Sequence, residues 1–252
     1  MNELKIGIAG FGNMGSAIYH SIKNEYSVVL YDPYISKHEG LPFEIEFQEF
    51  IKKINLLILC VKPNQVELFL SDIKQKMDIV SIAAGIDFQT IRDSSPSGSR
   101  IIRMMPNLPM VVGEGAIGVF GDDTLYEIIQ PLFKNQGKLI HVKNENLMNA
   151  ITGLSGSGPA YVFEFIHALA EGGVKSGLSF QDSLDLAIQT VKGSAIYLEK
   201  MNLHPIELRN RVTSPGGTTI NGLYELEKNS FHATVMGAVE KASQRSEELG
   251  RK

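Results

Sequence analysis

A short apolar run over residues 4–9 ends in Gly10-Phe11-Gly12-Asn13-Met14-Gly15. An amphipathic stretch follows at once, with Met14, Ala17, Ile18, Ser21 and Ile22 on one helical face. No other feature constrains the chain as much as this strand–glycine–helix start. Gly10 permits a tight turn, Gly12 lets the backbone approach a pyrophosphate, and Gly15 lets helix and strand pack closely. The helix start offers unpaired N–H groups and a partial positive charge to phosphates. A chain with 24 glycines in 252 residues produces chance spacings, so the weight rests on position at the first strand–helix junction. A glycine-rich turn serving packing alone is the plainer alternative.

Further apolar runs cover residues 27–31, 56–61, 79–84 and 100–104, with a helical piece over 63–76. They are continuous rather than alternating, as strands are when a sheet is covered on both faces. The pattern predicts a Rossmann-type, doubly wound parallel α/β sheet over residues 1–145. Residues 146–252 read instead as an all-α domain, with long helices over 159–176, 180–201 and 231–249. Shorter helices are expected over 205–212 and from about 218. The first long helix is apolar all round: Ala160, Phe163, Ile166, His167, Ala170 and Val174 form one stripe, and Tyr161, Val162, Phe165 and Leu169 another. Pairing with a second copy would bury such a helix best, so a homodimer is expected.

Composition narrows the function. With 24 Lys+Arg against 28 Asp+Glu, the net charge of −4 gives no reason to expect nucleic acid or an anionic membrane as partner. The single cysteine, Cys60, excludes an internal disulfide. No apolar run approaches the ~20 residues that span a bilayer, and no signal peptide is visible, so a cytoplasmic location is expected. The six histidines lack metal-ligand spacing, and no metal is expected. There is no Gly-x-Ser-x-Gly elbow and no phosphate loop of the Gly-Lys-Ser/Thr kind. No strong acid–base pair stands out, which suits a reaction whose chemistry a cofactor carries.

Candidate site residues gather at the predicted strand ends. Asp32, 17 residues beyond Gly15, can accept hydrogen bonds from adenosine ribose hydroxyls and would repel a 2′-phosphate, which favours NADH over NADPH. Capping of the turn at Pro33 is its structural alternative, and Lys37 and His38 downstream would partly offset the repulsion. Lys62-Pro63, Ala83-Ala84-Gly85 and Met104-Met105-Pro106-Asn107 mark the next three strand exits. Two more glycine clusters lie in the second half. In Thr152-Gly153-Leu154-Ser155-Gly156-Ser157-Gly158-Pro159, Ser157 is placed to cap the buried helix. The other, Val212-Thr213-Ser214-Pro215-Gly216-Gly217-Thr218-Thr219, would make an anion site sized for one carboxylate.

Together these clusters resemble pyrroline-5-carboxylate reductase. The matching residues are Gly10-Phe11-Gly12-Asn13-Met14-Gly15, Val61-Lys62-Pro63, Ser81-Ile82-Ala83-Ala84-Gly85 and Arg103-Met104-Met105-Pro106-Asn107-Leu108-Pro109. In the second half they are Ser155-Gly156-Ser157-Gly158-Pro159-Ala160-Tyr161-Val162-Phe163 and Val212-Thr213-Ser214-Pro215-Gly216-Gly217-Thr218-Thr219-Ile220. The last is the most specific. The resemblance implies hydride transfer from NADPH or NADH to the C=N carbon of 1-pyrroline-5-carboxylate, giving L-proline in the last step of its biosynthesis. It assigns Gly12, Asn13 and Met14 to the pyrophosphate, beside Gly10, Gly15 and Asp32, which the strand–glycine–helix reading itself places at the nucleotide, and it assigns Lys62, Pro63, Ala83, Ala84 and Asn107 to the nicotinamide side. Ser214, Gly216, Gly217, Thr218 and Thr219 fall to the substrate, with Thr219 touching the ring nitrogen. It further implies dimerisation through the helical domain, alone or within a higher assembly of dimers, with each active site between one subunit's nucleotide domain and its partner's helices. Asp32 and Arg211 depart from the family's usual residues, and the stretch from residue 38 to 49 is short. The alternatives are another imine reductase or a β-hydroxyacid dehydrogenase, for which Lys175 and Lys192 lack the expected motif, and a non-catalytic nucleotide-binding regulatory dimer.

Overall fold

The computed structural model describes residues 4–35 and 40–250, so Lys37 and His38 lie outside the described residues. Five strands and their helices alternate as the apolar runs predict: β1 (Lys5–Ala9), α1 (Asn13–Ile22), β2 (Ser27–Tyr31), α2 (Phe47–Lys52), β3 (Leu56–Leu59), α3 (Val66–Ser71), β4 (Asp78–Ser81), α4 (Phe88–Ser94) and β5 (Ile101–Met105). β3 and β4 stop two and three residues short of their apolar runs, and those trailing residues form the loops at the strand ends. The helix expected over 63–76 is a 3-10 turn, Pro63–Gln65, followed by the shorter α3. Beyond β5 come β6 (Gly115–Gly121), α5 (Asp123–Phe133) and β7 (Gly137–His141).

The strands form one sheet in the order β2-β1-β3-β4-β5-β6-β7. The five expected strands pair in parallel, as the sequence predicts; β6, which no apolar run marked, runs antiparallel to β5, pairing Arg103 with Phe120 and Met105 with Gly118. The chain turns back through a 3-10 turn at Leu108–Val112 without a crossover helix, so an antiparallel return is the geometry available. Both faces of the sheet are covered. Ile6, Ile8, Leu56 and Ile58 join Ile18, Ile22, Ile129 and Phe133 on the face of α1 and α5. Leu57, Leu59 and Ile79 join Phe50, Leu70 and Ile91 on the face of α2, α3 and α4. Alternate residues of one strand thus enter different cores, which is why the runs carry no polar period.

After β7, α6 (Leu147–Ile151) passes into a π-helical turn, Thr152–Gly156, and then into α7 (Gly158–Lys175). The expected Ser157 cap is absent: Ser157 has helical angles, and its N–H donates to Thr152 O at 2.8 Å, within a nearly continuous helical run. The remaining helices are α8 (Phe180–Met201), α9 (Pro205–Arg211), α10 (Thr218–Lys228) and α11 (Phe231–Gly250). By compactness the chain divides into one unit of Met1–Ser157 with Val239–Lys252, and a second of Gly158–Ala238.

The helical unit, taken by itself, has almost no core. α7 buries Ala170, α8 buries Ser183 and Ala187, and α9 and α10 bury nothing. Small residues let α7 and α8 approach closely: a Cβ on Gly173 would meet Ser183 Oγ at 2.5 Å. Val162, Phe163, Phe165, Leu169 and Val174 of α7 remain exposed in the single chain. So much apolar helix surface marks an association face.

In the first unit, the buried Arg103 of β5 pairs with Glu145, which also accepts the Phe88 N–H at 2.6 Å. Removing one partner of such a pair strands the other charge. Glu145→Ala is expected to lower the urea midpoint at fixed protein concentration. The expected loss is roughly 2–4 kcal/mol, below that for a fully buried pair because Glu145 keeps 29% of its side chain exposed.

Candidate active site

The strand order places the topological switch point at β1 and β3, whose carboxyl ends lie side by side where the chain leaves for opposite edges. Gly10 follows β1 with φ of 91°, and its N–H donates to Tyr31 O at 2.8 Å. A Cβ on Gly10 would lie 2.7 Å from the Cys60 carbonyl, and one on Gly15 would lie 2.0 Å from Gly10 O. Both glycines are therefore required by packing between β1, β3 and α1. Gly12 differs: nothing lies within 4 Å of the Cβ it lacks. It begins α1 with extended angles and no side-chain cap, and no acidic residue occupies the first turn. The amides of Asn13, Met14 and Gly15 are thus left for an external anion, a fit to a pyrophosphate.

Asp32 closes this turn from the end of β2. Its Oδ2 accepts the Phe11 N–H at 2.8 Å, and its Oδ1 accepts the Tyr34 N–H at 3.0 Å. Both the turn cap and a tie to the glycine loop are present, so the carboxylate is held at each oxygen. Asp32 lines a cavity of about 330 Å³ with Gly10, Gly12, Tyr34, Lys62 and Gln65. Lys62 therefore lines the same cavity as Asp32, while Ala83 and Ala84 stand at the end of β4, Ala83 buried and Ala84 exposed. Tyr34 and Gln65 were not picked out from the sequence; the Gln65 amide donates to Tyr34 Oη at 2.9 Å and joins two walls of the cavity. The aromatic two positions past Asp32 was the one available signal. Burial pushes the Cys60 thiol well up, so it remains protonated and is no nucleophile.

One predicted residue, Asn107, lies at the exit of β5. Asn107 is buried; its side-chain amide donates to Ser155 O at 3.0 Å and its carbonyl accepts the Ala116 N–H at 2.9 Å. It ties the exit of β5 to the π-helical turn and to β6. Asp87 caps α4 by accepting the Thr90 N–H at 2.6 Å, and that bond above all holds its carboxyl below the usual range. A depressed folded value means the cap is fully present at neutral pH and fades only as the pH falls through that lowered value.

In the helical unit, residues 213–219 form a turn in which the Gly217 N–H donates to Ser214 O at 3.1 Å, with Gly216 at φ of 68°. The Gly217 amide is thus engaged within the turn and is not free for the expected anion site. Gly217 begins α10 without a side-chain cap, and no acidic residue lies in the first turn. The amides of Thr218, Thr219 and Ile220 are the free donors here. Ile220 was missed because its side chain carries no polar signal. Among the described residues no cluster of metal-ligating side chains occurs, and no helix is long and apolar enough to cross a membrane.

Residues 145–249 match the family model for pyrroline-5-carboxylate reductase dimerisation, and residues 5–85 match that for NADP oxidoreductase, coenzyme F420-dependent. Pyrroline-5-carboxylate reductase of Methanosarcina acetivorans is 37% identical over 271 aligned positions, covering all of both chains. The chain belongs to the pyrroline-5-carboxylate reductase family. The Arabidopsis thaliana member is 44% identical, over 80% of this chain and 75% of its own. The crystal structure of the Plasmodium falciparum enzyme with NADP bound superposes with a TM-score of 0.89 at 35% identity, covering 99% of both chains. Membership supplies the second copy that the exposed face of α7 needs: the helical region is the family's dimerisation domain.

The open space at Gly12 and the closed space at Gly15 separate binding from folding. Gly12→Val is expected to abolish NAD(P)H binding, followed by quenching or enhancement of reduced-nicotinamide fluorescence, with the melting temperature kept. Gly15→Ala is expected to lower the melting temperature itself, by several degrees for each ~1 kcal/mol lost.

Proposed function

We propose that this chain reduces 1-pyrroline-5-carboxylate to L-proline with NADPH or NADH as hydride donor, the last step of proline biosynthesis, in the cytoplasm. The observation that carries this reading is the uncapped start of α10 behind Ser214-Pro215-Gly216-Gly217, a carboxylate-sized set of donors in addition to the nucleotide turn. Residues 1–145 would bind the dinucleotide, and residues 146–252 would dimerise and hold the substrate. Each site would combine one subunit's nucleotide domain with its partner's helices.

When bound, the reduced nicotinamide would supply a hydride to the carbon of an imine already protonated on its nitrogen, so that no further proton is needed to give the ring amine. The protein's share is orientation. The amides of Asn13, Met14 and Gly15 hold the pyrophosphate, and Lys62, Pro63, Ala83 and Ala84 border the cofactor. Asn107 shapes that border through its two backbone ties. Ser214, Gly216, Gly217, Thr218 and Thr219 surround the substrate carboxylate, with the amides of Thr218 and Thr219 donating to it. Each such charge-assisted hydrogen bond contributes about 1.5–3 kcal/mol. The Thr219 hydroxyl meets the ring nitrogen. A threonine hydroxyl is a poor acid, so it orients an imine that arrives protonated from solvent.

Thr219→Ala is expected to lower kcat with 1-pyrroline-5-carboxylate about 10-fold to 100-fold, the range for one lost transition-state contact, while NAD(P)H affinity stays unchanged. Equal loss of nucleotide binding in that variant would contradict the assigned geometry. Appearance of L-proline in step with NAD(P)H oxidation tests the reaction itself.

A further inference from the structure

We propose that the doubly tethered carboxylate of Asp32 makes this chain selective for NADH, by rejecting a 2′-phosphate at the ribose end of the switch-point cavity. The inference rests on the reductase reading and adds the identity of the cofactor.

An ionised carboxylate offers about four acceptor positions. Two are taken by the Phe11 and Tyr34 N–H groups, one on each oxygen. The remaining capacity matches the two donors of an adenosine ribose, whose 2′- and 3′-hydroxyls it can accept. A 2′-phosphate brings no hydroxyl donor at that position and close to two negative charges. A free carboxylate could rotate away from such a ligand. This one cannot do so without releasing the glycine loop at Phe11 and the β2 turn at Tyr34. The fixed negative charge is therefore part of the same contact set that shapes the pyrophosphate turn.

Further acidic side chains stand near the end of β2 among the described residues. Tyr31, the last residue of β2, has its phenol pushed above the ordinary value first by burial and then by Glu46, Asp32 and Asp72. Lys62 is the one cation lining the cavity among the described residues, and it makes no ion pair among them. Its ammonium sits on a flexible four-carbon stem, whereas the Asp32 carboxylate is pinned. The fixed group sets the preference, and the mobile one follows whichever phosphate is present. The Plasmodium falciparum relative was crystallised with NADP bound; this chain is expected to take NADH in preference.

The test is equilibrium binding of NADH and NADPH to the full chain, read by nicotinamide fluorescence, so that it stands whether or not the imine is turned over. Wild type is expected to bind NADH on the order of 10-fold to 100-fold more tightly than NADPH, the effect of one like-charge contact in a partly solvated cleft. Asp32→Asn and Asp32→Ser are expected to shrink that ratio at least about 10-fold by gaining NADPH affinity. Lys62→Met is expected to weaken both cofactors to a similar degree. Tighter NADPH binding by wild type would overturn the proposal. So would an Asp32→Asn protein that loses both cofactors equally, which is the mark of a purely structural tie, or a Lys62→Met protein that loses NADPH alone. Absence of turnover with an intact binding ratio would count against the reductase reading and leave the Asp32 assignment standing.

Discussion

A helical unit that buries little besides Ala170, Ser183 and Ala187 cannot hold itself together by its own apolar contacts. The side chains that would normally fill a core, Phe163, Phe165 and Leu169 on α7 and Leu186 and Ile188 on α8, are exposed in the single chain. Dimerisation supplies their cover, and the family's dimerisation domain spans this region. The carboxylate-sized donors at the start of α10 belong to that unit. The proposed substrate site and subunit pairing would thereby draw on one set of helices.

The nucleotide side follows a different economy. Its sheet is completed by two separate cores, and the rigid ends of β1, β2 and β3 carry the turn. Gly10 and Gly15 are fixed by contacts with backbone, and Gly12 by the need for open space. Asp32 belongs to both categories, since its oxygens hold the loop and line the cavity together. Neither half needs a catalytic acid of unusual pKa. Orientation of a cofactor and a protonated imine is sufficient chemistry for a hydride transfer.

Much of this was legible in the residues. Continuous apolar runs located β1 to β5, and 3.6-residue periodicity located α7 to α11, with α8 recovered over its whole length. β6 was not seen because Gly115, Gly118 and Gly121 break its apolar run, and α5 was obscured by Pro131. The antiparallel β5–β6 pairing follows from a short return that strand patterns alone do not encode. Residues 152–156 read as a loop because glycine and serine favour turns, yet tertiary packing winds them into a π-helical turn; a Cβ on Gly153 would meet Ser243 Oγ at 2.2 Å. Strand-end motifs singled out the candidate residues, but their hydrogen-bond partners depend on contacts distant in sequence. The Phe11–Asp32 and Asn107–Ser155 ties are of that kind.

The claim that each active site draws its nucleotide turn from one subunit and its substrate turn from the partner is open to a direct measurement. Gly12→Val and Thr219→Ala chains, the first without activity alone and the second reduced to its residual rate, would be co-expressed and the activity of the mixed population determined. A site shared between subunits restores one working site per mixed dimer, so random pairing returns about a quarter of wild-type activity. A site contained within one chain returns no more than the residual rate of the Thr219→Ala chain, and that result would contradict the account.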